Sequence, residues 1–306
     1  MALAVGLAGY GAVAEVHARR LKRDPSARLV SVFGPNLTKA EAFARRMEIP
    51  RATDRLEEFV EACEAVIVAS PTACHFEQAR AALQAGRAVL VELPPCTLAA
   101  EAERLAEEAA RSGVVLQCAH TSRYLAPYQN VRRQIASGCL GAILAVNYIR
   151  CLKPRERSWQ DDALLHHTAH AVDLFLDWFG DCEPLAALTH PKEPPRRQVA
   201  LLARGGAAGE IALSAFLSYS SPWPRAETVI DGEAAALVTD GFSYLRRNGV
   251  ETLLELDAEE TYESAIEQQD RAFVAACRGE AAGIGWQETV RLMRRLDRLA
   301  EPAHPC

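Results

Sequence analysis

Two imidazoles one helical turn apart, His166 and His170, are the side chains best spaced for chemistry, because an i, i+4 pair shares one helix face. Neutral histidine, with an ordinary pKa of about 6.5, suits proton transfer at neutral pH, and a pair so spaced also suits zinc. The zinc option is the weaker: the glutamate of an HExxH site is absent and no third ligand is indicated, so no metal is expected. His167 points off that face, where a buried, hydrogen-bonded role competes with contact to a substrate. Asp173, three residues past His170, either orients that imidazole, accepts a substrate hydroxyl or forms a structural pair on its helix. Arg123 and Arg157 carry guanidinium groups, which match carboxylates bidentately; ordinary surface ion pairing is the competing account, and weighs more for Arg157.

A second constellation opens the chain. The apolar run Leu3–Leu7 feeds Gly9-Tyr10-Gly11-Ala12-Val13-Ala14, a GxGxxA turn leading directly into helix-forming residues. In a dinucleotide-binding turn the first glycine permits the strand-to-helix reversal, the second lets the backbone approach a pyrophosphate, and the small third residue lets the helix lie close on the strand. The new helix N-terminus then offers its N–H groups to phosphate. After the second apolar run, Leu29–Phe33, an NAD enzyme usually places an acidic residue against the ribose 2′-hydroxyl. This chain has Gly34-Pro35-Asn36, followed by Thr38-x-x-Glu41, which reads as a capping box for a helix carrying Lys39 in its first turn. With no carboxylate to repel a 2′-phosphate and a cation beside a helix start, NADP is expected ahead of NAD. Lys39 as a solvated helix residue is the competing reading.

These residues need a scaffold, and the hydropathy pattern supplies one. Apolar strands at 65–69, 88–91 and 114–118 alternate with helices near 56–62, 76–85 and 98–112, the rhythm of a doubly wound parallel sheet. Past residue 119 the rhythm changes to a helix near 128–137, a strand near 142–150, an amphipathic helix at 164–179, and β-rich runs at 199–204, 209–218, 227–231, 235–239, 243–247 and 251–256. Helices near 262–278 and 286–300 close the chain, and Pro191–Pro195 reads as a loop. The expectation is an α/β chain: a cofactor-binding Rossmann domain over 1–119, then an α+β domain over 120–306 with an open, mostly antiparallel sheet.

Composition is consistent with such an enzyme. The 306 residues are 49% hydrophobic, enough for a large core, and the net charge of −6 disfavours nucleic acid or an anionic membrane as partner. The apolar start lacks a basic leader and reads as a buried strand rather than a signal peptide. Nine cysteines without a CxxC pair point to reduced thiols and a cytoplasmic location, with Cys96 and Cys118 acting as small hydrophobes.

Several further motifs carry a resemblance. Gly9-Tyr10-Gly11 with His17 beyond it, Ser70-Pro71-Thr72 with His75, Glu92-Leu93-Pro94, and His170-Ala171-Val172-Asp173 together resemble the glucose-fructose oxidoreductase and inositol dehydrogenase (Gfo/Idh/MocA) family over the whole chain. The resemblance implies that Ser70, Pro71, Thr72, His75, Glu92, Leu93 and His120 join the glycine turn in holding the cofactor. It also implies a metal-free reaction on a small molecule, and an outer sheet face that packs in a homodimer or homotetramer. The family's usual Glu-Lys-Pro lysine is here Leu93, and the aspartate commonly found four residues before the histidine is here His166.

Arg157-Ser158-Trp159, the His166-His167 pair, Val91-Glu92-Leu93-Pro94 and His120-Thr121-Ser122-Arg123-Tyr124 resemble one branch, the NADP-dependent 4-carboxy-2-hydroxymuconate-6-semialdehyde dehydrogenases. Members of that branch also lack the lysine and oxidise a cyclic hemiacetal to a pyrone dicarboxylate; Ser122 and Leu125 depart from its second arginine and its asparagine. A hemiacetal hydroxyl is more acidic than a sugar alcohol, so histidine suffices as base. The expectation is His170 as base, His166 supporting it, and Arg123, Tyr124, Arg157, Trp159, His167 and Asp173 around the substrate. A sugar or cyclitol oxidoreductase is the nearest alternative, and a dinucleotide-binding regulator without turnover is the alternative of another class.

Overall fold

The computed structural model describes residues 1–154, 162–280 and 283–300. Its first half alternates strand and helix: β1 (Leu3–Ala8), α1 (Ala12–Leu21), β2 (Ala27–Phe33), α2 (Leu37–Arg46), β3 (Arg51–Thr53), α3 (Leu56–Glu61), β4 (Ala65–Val68), α4 (His75–Gln84), β5 (Ala88–Glu92), α5 (Ala99–Ser112) and β6 (Leu116–Ala119). The six strands pair in parallel in the order β3-β2-β1-β4-β5-β6. Helices on both faces require strands that are apolar throughout, and Ala65–Val68 is buried at every position. The order reverses between β1 and β4, which makes the carboxyl edge there the crevice where such sheets take their ligands.

The second half contains a short 3-10 turn at Thr121–Tyr124, then α6 (Ala126–Ala136), β7 (Ile143–Cys151), α7 (Ala163–Phe179), β8 (Cys182–His190), β9 (Gln198–Gly205), β10 (Ile211–Ser218), β11 (Arg225–Gly232), β12 (Ala236–Thr239), β13 (Tyr244–Arg247), β14 (Glu251–Glu255), α8 (Ala258–Cys277) and α9 (Trp286–Ala300). Its strands form one eight-stranded sheet, β14-β13-β12-β11-β7-β10-β9-β8, antiparallel except where β7 meets β10. The α/β class, with a Rossmann sheet and a second, mostly antiparallel sheet, is as the sequence implies.

The chain forms two compact units, and the first is discontinuous: residues 1–120 together with 266–291. What draws the later segment in is apolar burial together with several side-chain bonds. Phe273 and Val274 join Val5, Leu7, Ile67 and Leu90 in the core, and Trp286 donates from Nε1 to the Ala102 carbonyl at 2.9 Å. The second unit comprises 121–265 and the chain from Leu292 on.

One local expectation is corrected, and two strands appear that the sequence does not announce. The start of α2 is capped by Asn36, whose Oδ1 accepts from the Lys39 N–H at 3.0 Å, and not by a Thr38–Glu41 box; Asn36 is extended and stands three residues before that donor, whereas Thr38 already lies inside the helix. The strands β3 and β8 carry no sequence signal because both lie at sheet edges: β3 has three residues, and β8 is largely exposed and contains Pro184. Among the described residues no helix is long and apolar enough to cross a membrane.

Candidate active site

In the first unit the glycine turn is built as a cradle. Gly9 has φ +128°, and a Cβ there would lie 2.5 Å from the Ala69 carbonyl oxygen, so only glycine fits. A Cβ at Gly11 would meet nothing within 4 Å, which leaves open space over the backbone where a diphosphate would approach. Gly11 is also the N-cap of α1 and has no side chain to satisfy the first N–H groups of that helix. The residues present therefore fit a dinucleotide: Gly9 to Val13 would meet its diphosphate. At the end of β2, a Cβ at Gly34 would fall 2.1 Å from Cε1 of Tyr10, so the tyrosine ring occupies the place where an acidic residue would start. Asn36 is used as a cap, and Lys39 stands exposed in the first turn of α2.

The loops at the carboxyl ends of β4 and β5 are tied together. His75 is buried at the start of α4, with Nδ1 2.9 Å from the Pro94 carbonyl oxygen and Nε2 2.7 Å from that of Ser70. Ser70 donates to Gln78 Oε1 at 2.7 Å, which fixes the Ser70-Pro71-Thr72 loop from its other side. Leu93, in this clamped loop, is 3% exposed. His120 is buried at the end of β6, with Nε2 3.0 Å from Thr289 Oγ1.

Glu92, the last residue of β5, meets a residue the sequence marks only by resemblance and another it does not mark at all. His17 of α1 is buried, with Nε2 3.0 Å from Glu92 Oε1 and Nδ1 2.9 Å from both carboxylate oxygens of Asp270 in α8. Burial works against charge on this imidazole, but Asp270 and Glu92 outweigh it and push its pKa up to about 10. With a carboxylate against each nitrogen, only the imidazolium can donate to both.

In the second unit, Asp162 caps α7, accepting from the Leu164 N–H at 2.9 Å and, through its other oxygen, from Arg196 at 3.1 Å. This fixes the helix that carries the histidines. His166 and His170 have ring centroids 5.8 Å apart, as their spacing implies. Nδ1 of His170 lies 3.4 Å from Ser122 Oγ, and Nδ1 of His166 bonds to the Tyr219 hydroxyl. The Tyr219 ring also packs on the buried His167, centroid to centroid 4.1 Å. Tyr219 follows β10, 53 residues from its histidine, and no motif marks it.

Arg123 has a carboxylate from its own chain. Its Nε lies 3.1 Å and its Nη2 2.7 Å from Asp173 Oδ1, and Nη1 lies 3.5 Å from Asp177. Asp173 is fully buried, so the two residues expected to meet substrate separately form one buried ion pair joining the Thr121–Tyr124 turn to α7. Tyr124 lies in that turn. Arg157 and Trp159 lie outside the described residues. Cys96 and Cys118 are buried, and the eight cysteines of the described residues form no disulfide with one another.

The sequence profile of the GFO_IDH_MocA oxidoreductase family, described as having an NAD-binding Rossmann fold, matches residues 3–120. The chain is 28% identical over 294 residues to the 4-carboxy-2-hydroxymuconate-6-semialdehyde dehydrogenase of Sphingobium sp. (strain NBRC 103272 / SYK-6), covering 90% of both. It is 31% identical to the glucose-6-phosphate 3-dehydrogenase of Bacillus subtilis (strain 168), over 52% of this chain and 46% of that one. Among solved structures, GenD2 from gentamicin A biosynthesis, in complex with NAD, superposes with a TM-score of 0.84 at 23% identity, over 98% of this chain and 94% of that one, and so shares the fold. With the cradle in place and these relatives matched, residues 3–120 carry the NAD-binding Rossmann fold of the Gfo/Idh/MocA oxidoreductase family, and the chain is an NAD(P)-dependent dehydrogenase acting on CH–OH groups.

Proposed function

We propose that this dehydrogenase uses NADP to oxidise the cyclic hemiacetal of a carboxylated semialdehyde, of the 4-carboxy-2-hydroxymuconate-6-semialdehyde kind, to a pyrone-type lactone. The observation that carries the reading is the His166–His170 pair on α7, 5.8 Å between centroids, in a chain whose Glu92-Leu93-Pro94 loop buries leucine where the family usually carries lysine. The bound cofactor supplies the hydride acceptor. His170 takes the hydroxyl proton as general base, a role suited to the acidity of a hemiacetal hydroxyl. Tyr219 orients His166, and Ser122 faces Nδ1 of His170.

Arg123, paired with Asp173, holds the Thr121–Tyr124 turn on α7, and the substrate's carboxylates are assigned to Arg157, with Tyr124 and Trp159 as further substrate-binding residues. The preference for NADP rests on the Tyr10 ring filling the place an acidic side chain at position 34 would need, and on Lys39 at a helix start. The chain is further proposed to form a homodimer or homotetramer through the outer face of its second sheet.

A spectrophotometric screen of NADP and NADPH turnover against muconate semialdehydes, sugars and cyclitols tests the reading. Turnover confined to carboxylated semialdehydes supports it. Turnover of sugar phosphates or cyclitols instead would favour the second reading, a sugar dehydrogenase, for which the match to glucose-6-phosphate 3-dehydrogenase speaks. Inertness with every substrate would leave a dinucleotide-binding regulator.

A further inference from the structure

The three-residue chain Asp270–His17–Glu92 joins the helix after the glycine turn, the end of β5 and the returning helix α8. Its two inner members are buried, while the Glu92 side chain is 17% exposed, so solvent and any bound molecule meet the triad at Glu92. One imidazolium and two carboxylates leave one net negative charge. The charged neighbours are already matched: on α1, Arg20 pairs with Glu267 of α8 at 3.0 Å, and on α8 that glutamate also pairs with Arg271 at 2.6 Å.

We propose that Asp270 is a positioning residue: by holding His17 as the imidazolium, it fixes Glu92 at the carboxyl end of β5 and keeps the net charge there at minus one. This rests on the reading that the crevice binds a nicotinamide cofactor. A constant negative charge favours the oxidised, cationic nicotinamide over the neutral reduced one to the same extent at every pH near neutrality. Without Asp270 the imidazole loses its stronger partner and titrates near its ordinary range, so that the charge at Glu92 swings between zero and minus one.

Two measurements on the full chain test this. In 15N-histidine-labelled protein at pH 8, with the resonance assigned through His17→Gln, both ring nitrogens of His17 should be protonated; a neutral tautomer overturns the proposal whether or not any Asp270 variant folds. Fluorescence titrations with NADP and NADPH at pH 6 and pH 9 then give the ratio of the two dissociation constants, in which the titration of the 2′-phosphate cancels. The parent should hold that ratio constant. In Asp270→Asn it should change by roughly fivefold to tenfold, with the oxidised form gaining as pH rises, and Asp270→Glu should restore the flat profile. A flat ratio in Asp270→Asn removes the positioning role alone, whereas a parent that binds neither NADP nor NAD removes the cofactor reading with it.

Discussion

Leu93 is buried in a loop clamped by His75, and that loop carries no ammonium group at position 93, so the proposed reading gives proton transfer to imidazole. His170→Asn should therefore lower kcat by roughly two to four orders of magnitude while leaving NADP affinity in place. A kcat within a few-fold of the parent would take His170 out of the mechanism. Tyr10 and Gly34 set a separate residue-scale expectation: Lys39→Glu should erase a preference for NADP of about tenfold, read by calorimetric titration of both cofactors. Equal affinities in the parent would end that argument. The i, i+4 histidines and the glycine turn are legible in sequence because spacing alone places them. Tyr219 and Asp270 are not, since their partners lie 53 and 253 positions away and neither sits in a motif.

At the scale of elements, the bidentate contact of Arg123 with Asp173 changes what a substitution should do. Arg123→Ala leaves a fully buried carboxylate without its guanidinium, a loss of about 3 to 5 kcal/mol, and the variant should show it as a lowered midpoint in urea before any change in KM. A raised KM at unchanged stability would return Arg123 to the substrate. The sequence fits the elements buried on both faces, such as β4, because their apolar runs are continuous. It misses β3 and β8, where an edge strand with one exposed face carries neither a run nor a clean alternation. The cap of α2 is misread by two residues for a similar reason: Asn36 and Thr38 both suit the role by type, and only backbone conformation chooses between them.

At the scale of the molecule, the outer face of the second sheet carries a row of apolar side chains: Leu188 opposite Ala200, Ala200 opposite Phe216 and Phe216 opposite Ile149. Leu188 is 77% exposed and Leu202, one row over, 58%. Such a face suits the proposed association, and on that reading Leu202→Arg with Phe216→Glu should convert an oligomer to monomer in sedimentation velocity. A parent that is already a monomer would refute the proposed assembly. Stability should also fall in mild alkali. His17 has its pKa raised from 6.5 to about 10, so its contribution is whole below pH 6.5 and is lost as pH rises through about 10. The urea midpoint of the parent should decline across that window, and that of His17→Gln should decline less.

The discontinuous first unit also bears on synthesis. A ribosome that has released residue 120 must still make the chain as far as residue 291 before the unit holds all its parts. At about 5 to 20 residues per second, that interval is roughly ten to thirty seconds. During it, α1 and the glycine turn wait without Asp270, Phe273 and Trp286, and apolar surface meant for the returning helices stays open to chaperones and to other nascent chains.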